Sequence, residues 1–538
     1  MTKRFFAVSA FLLLAVCASS QTMQDALTFS SNNYYGTARS MAMGNAFTAL
    51  GGDLGSITLN PAGSAVNGFS QLTITPGLSI ASSRSSYMAM PSLDGKYANK
   101  TNNGKTAFEM PNVGFTLNYK TGAKRGLKSS TIGFIANMSS VYLDNVYTRG
   151  RNSQTTMAGS IAAGSSGMAY SQLNDYSAYD SGLPWLNVAG LQGGMISNFG
   201  ATDSEYIGVT EKLFDNGDIQ LAGPIDQVYG RQTKGTKYEM VFNSGLNFSD
   251  RVFVGVNIGM ASLSYSMDQY FKEVAVNPAD FQLTFVENNA EVTTNFDALR
   301  YRYSYDASGV GVYGKIGIIG VPTSWLRLGA AIQTPTLLHI KESWQLSAET
   351  WFTNSSFDAS SKSPRSEYEY NFISPFRFNV GAAIILSKIG VLSADYEYTD
   401  YAGMRFKESE TNDNSAFESV NNDISDYMSD SNTLRLGAEV KLLPIFAVRA
   451  GYELTSTKQK YLDDLNEMQT QISNRNTWSV GFGYSSKGSF FCDFALRHTA
   501  FPKEYIYPYQ DYLDTALTPE ILHKRSLWDA AITFGWRF

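Results

Sequence analysis

The end of the chain, residues 528–538, restricts the fold more than any other stretch of this sequence. Apolar side chains occupy every second position there, namely Trp528, Ala530, Ile532, Phe534, Trp536 and Phe538. Small or polar residues fill the positions between them. A period of two places successive side chains on opposite faces of a β-strand. Alternating aromatic residues that end on a terminal phenylalanine are typical of the sorting signal of outer-membrane barrels.

The same alternation recurs along the chain. It covers residues 72–80, 113–119, 132–138, 238–248, 252–260, 310–318, 326–332, 376–384, 389–401, 434–440, 446–454, 478–484 and 490–496. Each segment extends to roughly ten residues, which is enough to cross a bilayer when the strand is tilted. The sequence therefore predicts an all-β fold, an antiparallel transmembrane barrel of about fourteen strands, and an even number is what bacterial barrels require.

The connections between these segments are alternately short and long. The short ones cover residues 249–250, 321–324, 387–388, 442–445 and 485–488, with a slightly longer one at 121–128. The long polar ones cover residues 83–106, 145–236, 268–302, 348–367, 403–430, 456–475 and 500–524. Short turns of such barrels face the periplasm and long loops face outward. We expect both chain ends on the periplasmic side, a barrel over residues 70–538, and the largest extracellular loop at 145–236.

Residues 1–20 have the pattern of a secretory signal peptide cleaved after Ser20, with a basic start and a short apolar part. Cys17 raises a lipoprotein alternative, although the residue before it is bulkier than a lipobox prefers. After cleavage Cys492 has no partner, so no intramolecular disulfide is expected. No later segment approaches about 18 consecutive apolar residues, so no transmembrane helix is expected. Export then indicates a periplasmic, secreted or outer-membrane protein, and the strands favour the outer membrane.

Composition narrows the class of partner. The formal net charge is -6 and the isoelectric point is near 5.3, which argues against nucleic acid as a ligand. The mean hydropathy of -0.18 resembles that of a soluble protein. In a barrel, however, lipid-facing and lumen-facing residues alternate, so their hydropathies cancel in the average.

Residues 36–63, just inside the mature N-terminus, are too rich in glycine for a comfortable helix and too irregular for a strand. Pro61 removes a backbone donor and biases the preceding residue toward extended geometry. We interpret residues 21–69 as a small hatch that plugs the barrel. The candidate hatch and gate residues are Gly44, Asn45, Asn60, Pro61, Ala62 and Gly63.

Two sequence features resemble motifs of other functional classes. Residues 309–314 match the dinucleotide fingerprint, but that motif needs a helix after it, and here the pattern continues as a strand. The histidines His339, His498 and His523 could serve a barrel hydrolase, yet their positions favour interfacial residues near strand ends. We expect no enzyme activity, no catalytic residue, no metal and no cofactor.

Several charged residues face the lumen by parity. We expect most of them to form an interior network of salt bridges and hydrogen bonds, since buried charges need partners. The alternative is contact with a ligand carboxylate, which arginine binds with two parallel hydrogen bonds. The candidates for that contact are Lys315, Arg327, Arg435 and Arg449.

The long segment 145–236 has an apolar middle. Exposed, these residues would form a binding surface; buried, they would form a lid over neighbouring loops, and the sequence leaves both open. The candidate outer ligand groove consists of Leu183, Trp185, Leu186, Leu191, Met195 and Ile196, with Phe281 and Phe285 from another loop as the opposite wall.

The sequence also resembles a family. The N-terminal residues Gly36, Ala38, Met43 to Ala46 and Asn60 to Gly63 resemble the start of the outer-membrane long-chain fatty-acid transporters, which include aromatic-hydrocarbon transporters. Residues 308–320, 322–329, 375–381 and 536–538 agree with this resemblance, which spans nearly the whole mature chain. The asparagine–proline–alanine element is its most specific part.

The resemblance implies a fourteen-stranded barrel with an N-terminal hatch in the lumen. Ligands such as long-chain fatty acids would be caught by apolar outer loops, pass to an inner pocket and leave sideways through a kinked wall strand. Transport would be passive. Some members of the family serve type IX secretion instead, and they bind cargo proteins rather than lipids. Further expected partners are outer-membrane lipid and lipopolysaccharide, and the barrel assembly machinery through Phe538; we expect a monomer.

Overall fold

The computed structural model describes residues 21–88, 99–177, 182–199, 202–215, 217–287, 290–387, 389–462, 467–510, 512–513 and 518–538. The signal peptide expected at residues 1–20 lies outside these ranges. Strands numbered in chain order are β1 (Gln71–Met88), β2 (Asn99–Lys120), β3 (Leu127–Val141), β4 (Asp144–Asn152), β5 (Ile196–Asn198), β6 (Tyr206–Gly208), β7 (Glu211–Leu213), β8 (Ile219–Leu221), β9 (Ile225–Phe248), β10 (Val252–Ala275), β11 (Gln282–Glu287), β12 (Ala290–Thr323), β13 (Leu326–Gln333), β14 (Leu337–Phe352), β15 (Ala359–Lys362), β16 (Ser366–Ile373), β17 (Arg377–Leu386), β18 (Gly390–Asp400), β19 (Arg405–Glu408), β20 (Met428–Leu443), β21 (Phe446–Leu462), β22 (Met468–Ser485), β23 (Phe490–Ala500), β24 (Glu504–Ile506) and β25 (Glu520–Arg537).

The wall is a single antiparallel sheet closed on itself. The last strand, β25, pairs with the first, β1, from the pair Gln71–Arg537 to the pair Met88–Glu520. Some wall strands consist of two pieces. β3 and β4 both pair with β9, and β13 and β14 both pair with β12. On the next wall strand, β17 pairs with β13 and β16 pairs with β14. Counted in this way the barrel has fourteen strands, so the predicted fold class is confirmed.

The outer face of the wall carries an apolar belt. Ile258 is 68 % exposed and Phe242 is 67 % exposed, whereas their inward neighbours Asn257 and Asn243 are buried. An apolar band outside and polar residues inside are the reverse of a water-soluble barrel and fit a wall surrounded by lipid.

Several segments expected as loops are strand instead. β10 continues to Ala275 and is 24 residues long. At about 3.3 Å per residue and a tilt near 40°, it rises roughly 60 Å along the membrane normal, about twice the hydrocarbon thickness. The wall therefore projects far beyond the belt on the long-loop side.

The described helices are short. They are α1 (Met23–Ser30), α2 (Ala38–Ala42), α3 (Met157–Ser165), α4 (Tyr170–Asn174), α5 (Trp185–Gln192) and α6 (Glu418–Tyr427). None of these helices is long and apolar enough to cross a membrane. Single 3₁₀ turns cover Leu54–Ser56, Pro61–Val66, Pro278–Asp280, Ser355–Phe357, Tyr401–Gly403 and Ser415–Phe417.

Candidate functional site

The N-terminal segment, residues 21–69, runs down the inside of the barrel before β1 begins. Gln21 donates a hydrogen bond to Glu342 of β14 at 2.5 Å. At the other end Ser70 exchanges backbone hydrogen bonds with Phe538 at 3.2 and 2.9 Å. We expected both ends of the mature chain on the periplasmic side. That expectation was wrong for the N-terminus, because Glu342 lies level with Tyr265, which is beyond the belt residue Met260 on the long-loop side.

Cations inside the barrel hold the upper part of this segment by its carbonyl oxygens. We call Lys237, Arg377, Arg475 and Arg497 the cation clamp. Lys237 donates to Phe29 and Ser31, Arg377 to Ser30, Arg475 to Asn32, and Arg497 to Asn33 and Tyr34. Hydrogen bonds from charged donors contribute about 1.5–3 kcal/mol each. The clamp therefore fixes residues 29–34 against the wall.

Carboxylates on the wall hold the three arginines of the clamp in turn. Arg377 pairs with Glu397 at 3.4 Å, Arg475 with Glu453 at 3.3 Å, and Arg497 with Asp529 at 2.9 Å. Arg497 is among the charged residues that parity places in the lumen, on the same face of β23 as Asp493, whereas Lys237, Arg377 and Arg475 were missed. The same parity argument, applied to the strands that contain them, would have found all three.

Glycines seat the lower part of the segment directly on the wall. The glycine arc consists of Gly245, Gly255, Gly317, Gly329, Gly437 and Gly451. The first four lie on adjacent wall strands from β9 to β13, and the last two lie on the adjacent strands β20 and β21. A Cβ at any of these positions would overlap an atom of residues 43–64; at Gly437 it would lie 2.5 Å from the Met43 carbonyl oxygen. At Gly255, Gly329, Gly437 and Gly451 the hatch backbone therefore contacts the wall directly, whereas Gly245 and Gly317 make room for the side chains of Ser64 and Asn60.

The predicted gate residues build the turns of this lower part. Gly44 and Asn45 have φ values of 60° and 57°, in the left-handed region that favours glycine and asparagine. The Asn60 side chain accepts from Ala62 N at 3.1 Å and donates to the Thr48 carbonyl at 2.6 Å. Pro61 begins a 3₁₀ turn. The gating role of these residues stays a prediction.

The wall has a seam beside β3. β2 and β3 pair from Lys120–Ser129 to Asn112–Asn137, and among described residues no strand pairs with β2 on that side beyond Asn112. From Met138 the chain of β3 turns inward, where its carbonyls at Met138 and Ser139 accept hydrogen bonds from Tyr35 and Asn33 at 3.0 and 2.7 Å. Pro111 stands at the start of the seam and has no N–H to continue the ladder.

Side chains bridge this seam in place of a backbone ladder. Lys105 Nζ donates to the Thr233 carbonyl at 3.3 Å, and Asn103 Nδ2 donates to the Tyr147 carbonyl at 3.4 Å. Such isolated hydrogen bonds, at about 1–3 kcal/mol each, hold two strands less firmly than a continuous ladder does, because a ladder repeats its bonds along the whole strand. Among the described residues next to β3, the seam is thus where neighbouring wall strands are held together least firmly.

The four candidate carboxylate contacts already have partners. Lys315 Nζ donates to the Thr58 carbonyl at 2.6 Å, and Arg327 donates to the Leu50 carbonyl at 2.5 Å. Arg435 pairs with Glu453 and Glu397 at 2.9 and 3.2 Å, and Arg449 pairs with Glu439 and Asp493 at 2.7 and 2.6 Å. These contacts form the interior network, and a role with ligand at these positions stays a prediction.

The candidate outer groove residues lie in one closed apolar cluster. Leu186, Leu191, Met195, Ile196 and Phe281 are each no more than 9 % exposed. Leu183, Trp185 and Phe285 pack against the same cluster while partly exposed. In this state the middle of segment 145–236 is a lid over the long-loop end of the barrel, where Phe285 stacks on Phe357 at 4.7 Å.

The histidines divide between two environments. His498 lies between Trp478 and Trp528, with ring centroids 5.3 and 4.5 Å away, and His339 contacts Glu369 at 3.3 Å on the outer face. His523 is instead 2 % exposed, so its expected interfacial position was wrong. It bonds Asp144 at 3.0 Å and Ser85 at 3.0 Å.

The buried residues around His523 form neither an accessible nucleophile nor a vacant cation site. Ser85 is fully buried, so its hydroxyl offers no face to a substrate. The donor atoms of Asp144, Glu504 and His523 lie within 4.8 Å of one another. However, Arg231 donates to Glu504 at 2.8 and 2.9 Å and lies 3.7 Å from Asp144, so a guanidinium already supplies the positive charge.

Comparison with known proteins gives the fold an independent reference. No protein-family model matches the chain, and no curated protein sequence matches it. Among solved structures, a Pseudomonas aeruginosa FadL homologue matches with a TM-score of 0.50 and 11 % identity, over 94 % of this chain and 99 % of that one. The chain has the fold of this FadL homologue. The Ralstonia pickettii toluene transporter TbuX matches with a TM-score of 0.44 and 15 % identity, over 94 % and 99 % of the two chains.

Proposed function

We propose that the protein carries hydrophobic compounds, such as long-chain fatty acids, passively across an outer membrane. The observation that supports this most is the combination of a lumen filled by residues 21–69 with a wall seam beside them at β3. An apolar solute gains no free energy in a water-filled pore. Its transfer from water into apolar surroundings is favourable by about 25 cal/mol per Å² of apolar surface. Sideways release through the seam would spare the solute a return to water.

In this proposal the hatch is the gate. Asn33 and Tyr35 bond the inward-turned part of β3, so movement of the segment would free that part of the wall. The closed lid at residues 182–199 would open to admit the compound from outside. The fold shared with a FadL homologue agrees with this route, which the family resemblance also implies.

The test is uptake of oleate by liposomes containing the purified protein, with an acyl-CoA synthetase trapped inside. A disulfide between Asn33→Cys and Ser139→Cys, made in a Cys492→Ser background, should abolish uptake, and reduction should restore it. Each single-cysteine variant serves as the control. Oleate uptake no faster than in empty liposomes would contradict transport, and co-purification with secreted proteins without lipid binding would favour the secretion alternative.

A further inference from the structure

A cavity of about 530 Å³ lies on the outside of the barrel wall, on the part that projects beyond the apolar belt. Its lining includes Tyr147 of β4, Tyr270 and Asp268 of β10, and Arg300 and Arg302 of β12. A volume of this size is in the range of small-molecule sites in proteins. Apart from Tyr147, whose carbonyl accepts the seam bridge from Asn103, none of these residues takes part in the hatch, the seam bridges or the lid.

The floor of this cavity is aromatic. Tyr147, Gly230, Tyr270 and Arg302 occupy one transverse line across the wall, since Tyr147 pairs with Gly230, Gly230 with Tyr270, and Tyr270 with Arg302. A Cβ at Gly230 would lie 2.8 Å from the Tyr270 hydroxyl and closer still to its ring, so the ring lies over this glycine. The absence of a side chain at Gly230 thus lets the Tyr270 ring lie against the wall there.

The rim of the cavity is cationic. Arg302 pairs with Asp268 and Arg300 pairs with Glu349 at 2.5 Å, while Lys272 has no ion pair among the described residues. A second cavity of about 460 Å³ shares Arg300 and Arg302 and adds Lys362. Among the described residues, the lining of the two cavities contains the cations Arg231, Lys272, Arg300, Arg302 and Lys362, of which Arg231 is paired with Glu504, and the two carboxylates Asp268 and Glu349.

The position of the cavity relative to the membrane follows from β10. Outward positions of this strand are apolar from Val252 to Met260, serine at 262, 264 and 266, and charged or aromatic from Asp268 to Lys272. Tyr270 is ten residues beyond Met260, which is roughly 25 Å along the membrane normal at about 40° of tilt. The cavity therefore lies beyond the acyl chains, at the depth of large extracellular headgroups.

We propose that this surface binds the anionic sugars of an outer-leaflet glycolipid. Tyrosine rings present flat apolar faces with a polar tip, which suits the alternating C–H and hydroxyl groups of a sugar ring. Arginine binds phosphate or carboxylate with two parallel hydrogen bonds, so Arg300 and Arg302 would hold the anionic group. The role is separate from transport and requires only that the barrel lie in a membrane whose outer leaflet carries such lipids.

The test compares two exposed arginine–aspartate pairs on the projecting wall. Arg302 and Asp268 are 54 and 43 % exposed, and the matched pair Arg365 and Asp306, outside both cavities, is 58 and 53 % exposed. Titration calorimetry of the full protein in detergent would use a lipid-free phosphorylated core oligosaccharide of lipopolysaccharide. Arg302→Gln and Tyr270→Leu should each weaken binding at least tenfold, while Arg365→Gln changes it less than twofold.

Three further ligands test which part of the glycolipid supplies the bound anionic group. A dephosphorylated core oligosaccharide should bind at least tenfold more weakly, and inorganic phosphate or lipid A without core should not compete. The proposal would be overturned if Arg302→Gln and Arg365→Gln weakened oligosaccharide binding equally. It would also be overturned if inorganic phosphate competed at a similar concentration, or if lipid A alone bound as tightly as the core oligosaccharide. Oleate uptake into glycolipid-free liposomes should be unchanged in Arg302→Gln, so failure of this site and failure of transport are distinguishable.

Discussion

Replacing Gly437 by alanine tests whether the hatch is seated on the wall backbone. The added Cβ would lie 2.5 Å from the Met43 carbonyl oxygen, 3.1 Å from Met43 Cβ and 3.2 Å from Ala46 Cβ. The hatch must therefore move by roughly 1 Å to reach ordinary contact near 3.4 Å. Overpacking of this kind costs about 1–3 kcal/mol. At about 1.4 kcal/mol per factor of ten, the displaced hatch should become roughly 5- to 150-fold more populated.

Hydrogen exchange measured by mass spectrometry would detect this change in the purified protein. The amides of Gly44 and Asn45, which donate to Met41 and Ser40 at 3.2 and 2.9 Å, should exchange faster by that factor. The matched control is Gly320→Ala, because no heavy atom lies within 4 Å of its Cβ. The shift of the folded barrel on a heated gel should be unchanged in both variants. Equal exchange of these amides in the two variants would refute the seating.

Three more predictions concern the same segment. Asp395→Ala should speed amide exchange around Thr48, because the Thr48 N–H loses its 2.6 Å acceptor and an unsatisfied buried donor costs about 1–3 kcal/mol; unchanged exchange would contradict this. Arg497→Gln should lower the free energy of unfolding in urea by about 3–5 kcal/mol, because Asp529 loses its buried cation at 2.9 Å; a loss below about 1 kcal/mol would argue against the clamp. Burial raises the pKa of Asp25 to about 6, so docking of α1 should weaken as pH rises from about 4 to 6 and then stay constant; spin-label mobility on α1 measures it, and Asp25→Asn should remove the pH dependence.

The barrel wall was predictable because its signal is local. Residues such as Val252, Val254 and Val256 alternate with small or polar neighbours, and two faces with different surroundings require that pattern whatever the partner strands are. The upper extensions of the strands were not predictable in this way. Beyond Met260 both faces of β10 meet polar groups or protein, so the alternation that marks a lipid-facing strand disappears there.

The candidate site likewise has features that were predictable from the local sequence and features that were not. The sequence alone determined the fourteen strands, the lumen side of Arg435 and Arg449, and the turn-forming residues Asn60 and Pro61, since each depends on parity or on local backbone chemistry. Only the tertiary structure decided which atoms meet across the lumen. The carbonyl oxygens of residues 29–34 have no sequence signature, yet they are what the cation clamp binds.

The glycines show the reason most clearly. Gly255, Gly317 and Gly437 look in the sequence like ordinary small residues on the lumen face of a barrel strand. Register across neighbouring strands, set by pairs such as Gly255–Gly317 and Gly437–Gly451, aligns them into an arc on which the hatch backbone lies. Pairing between strands far apart in the chain is a property of the closed barrel, so the seat of the hatch exists only once the wall is complete.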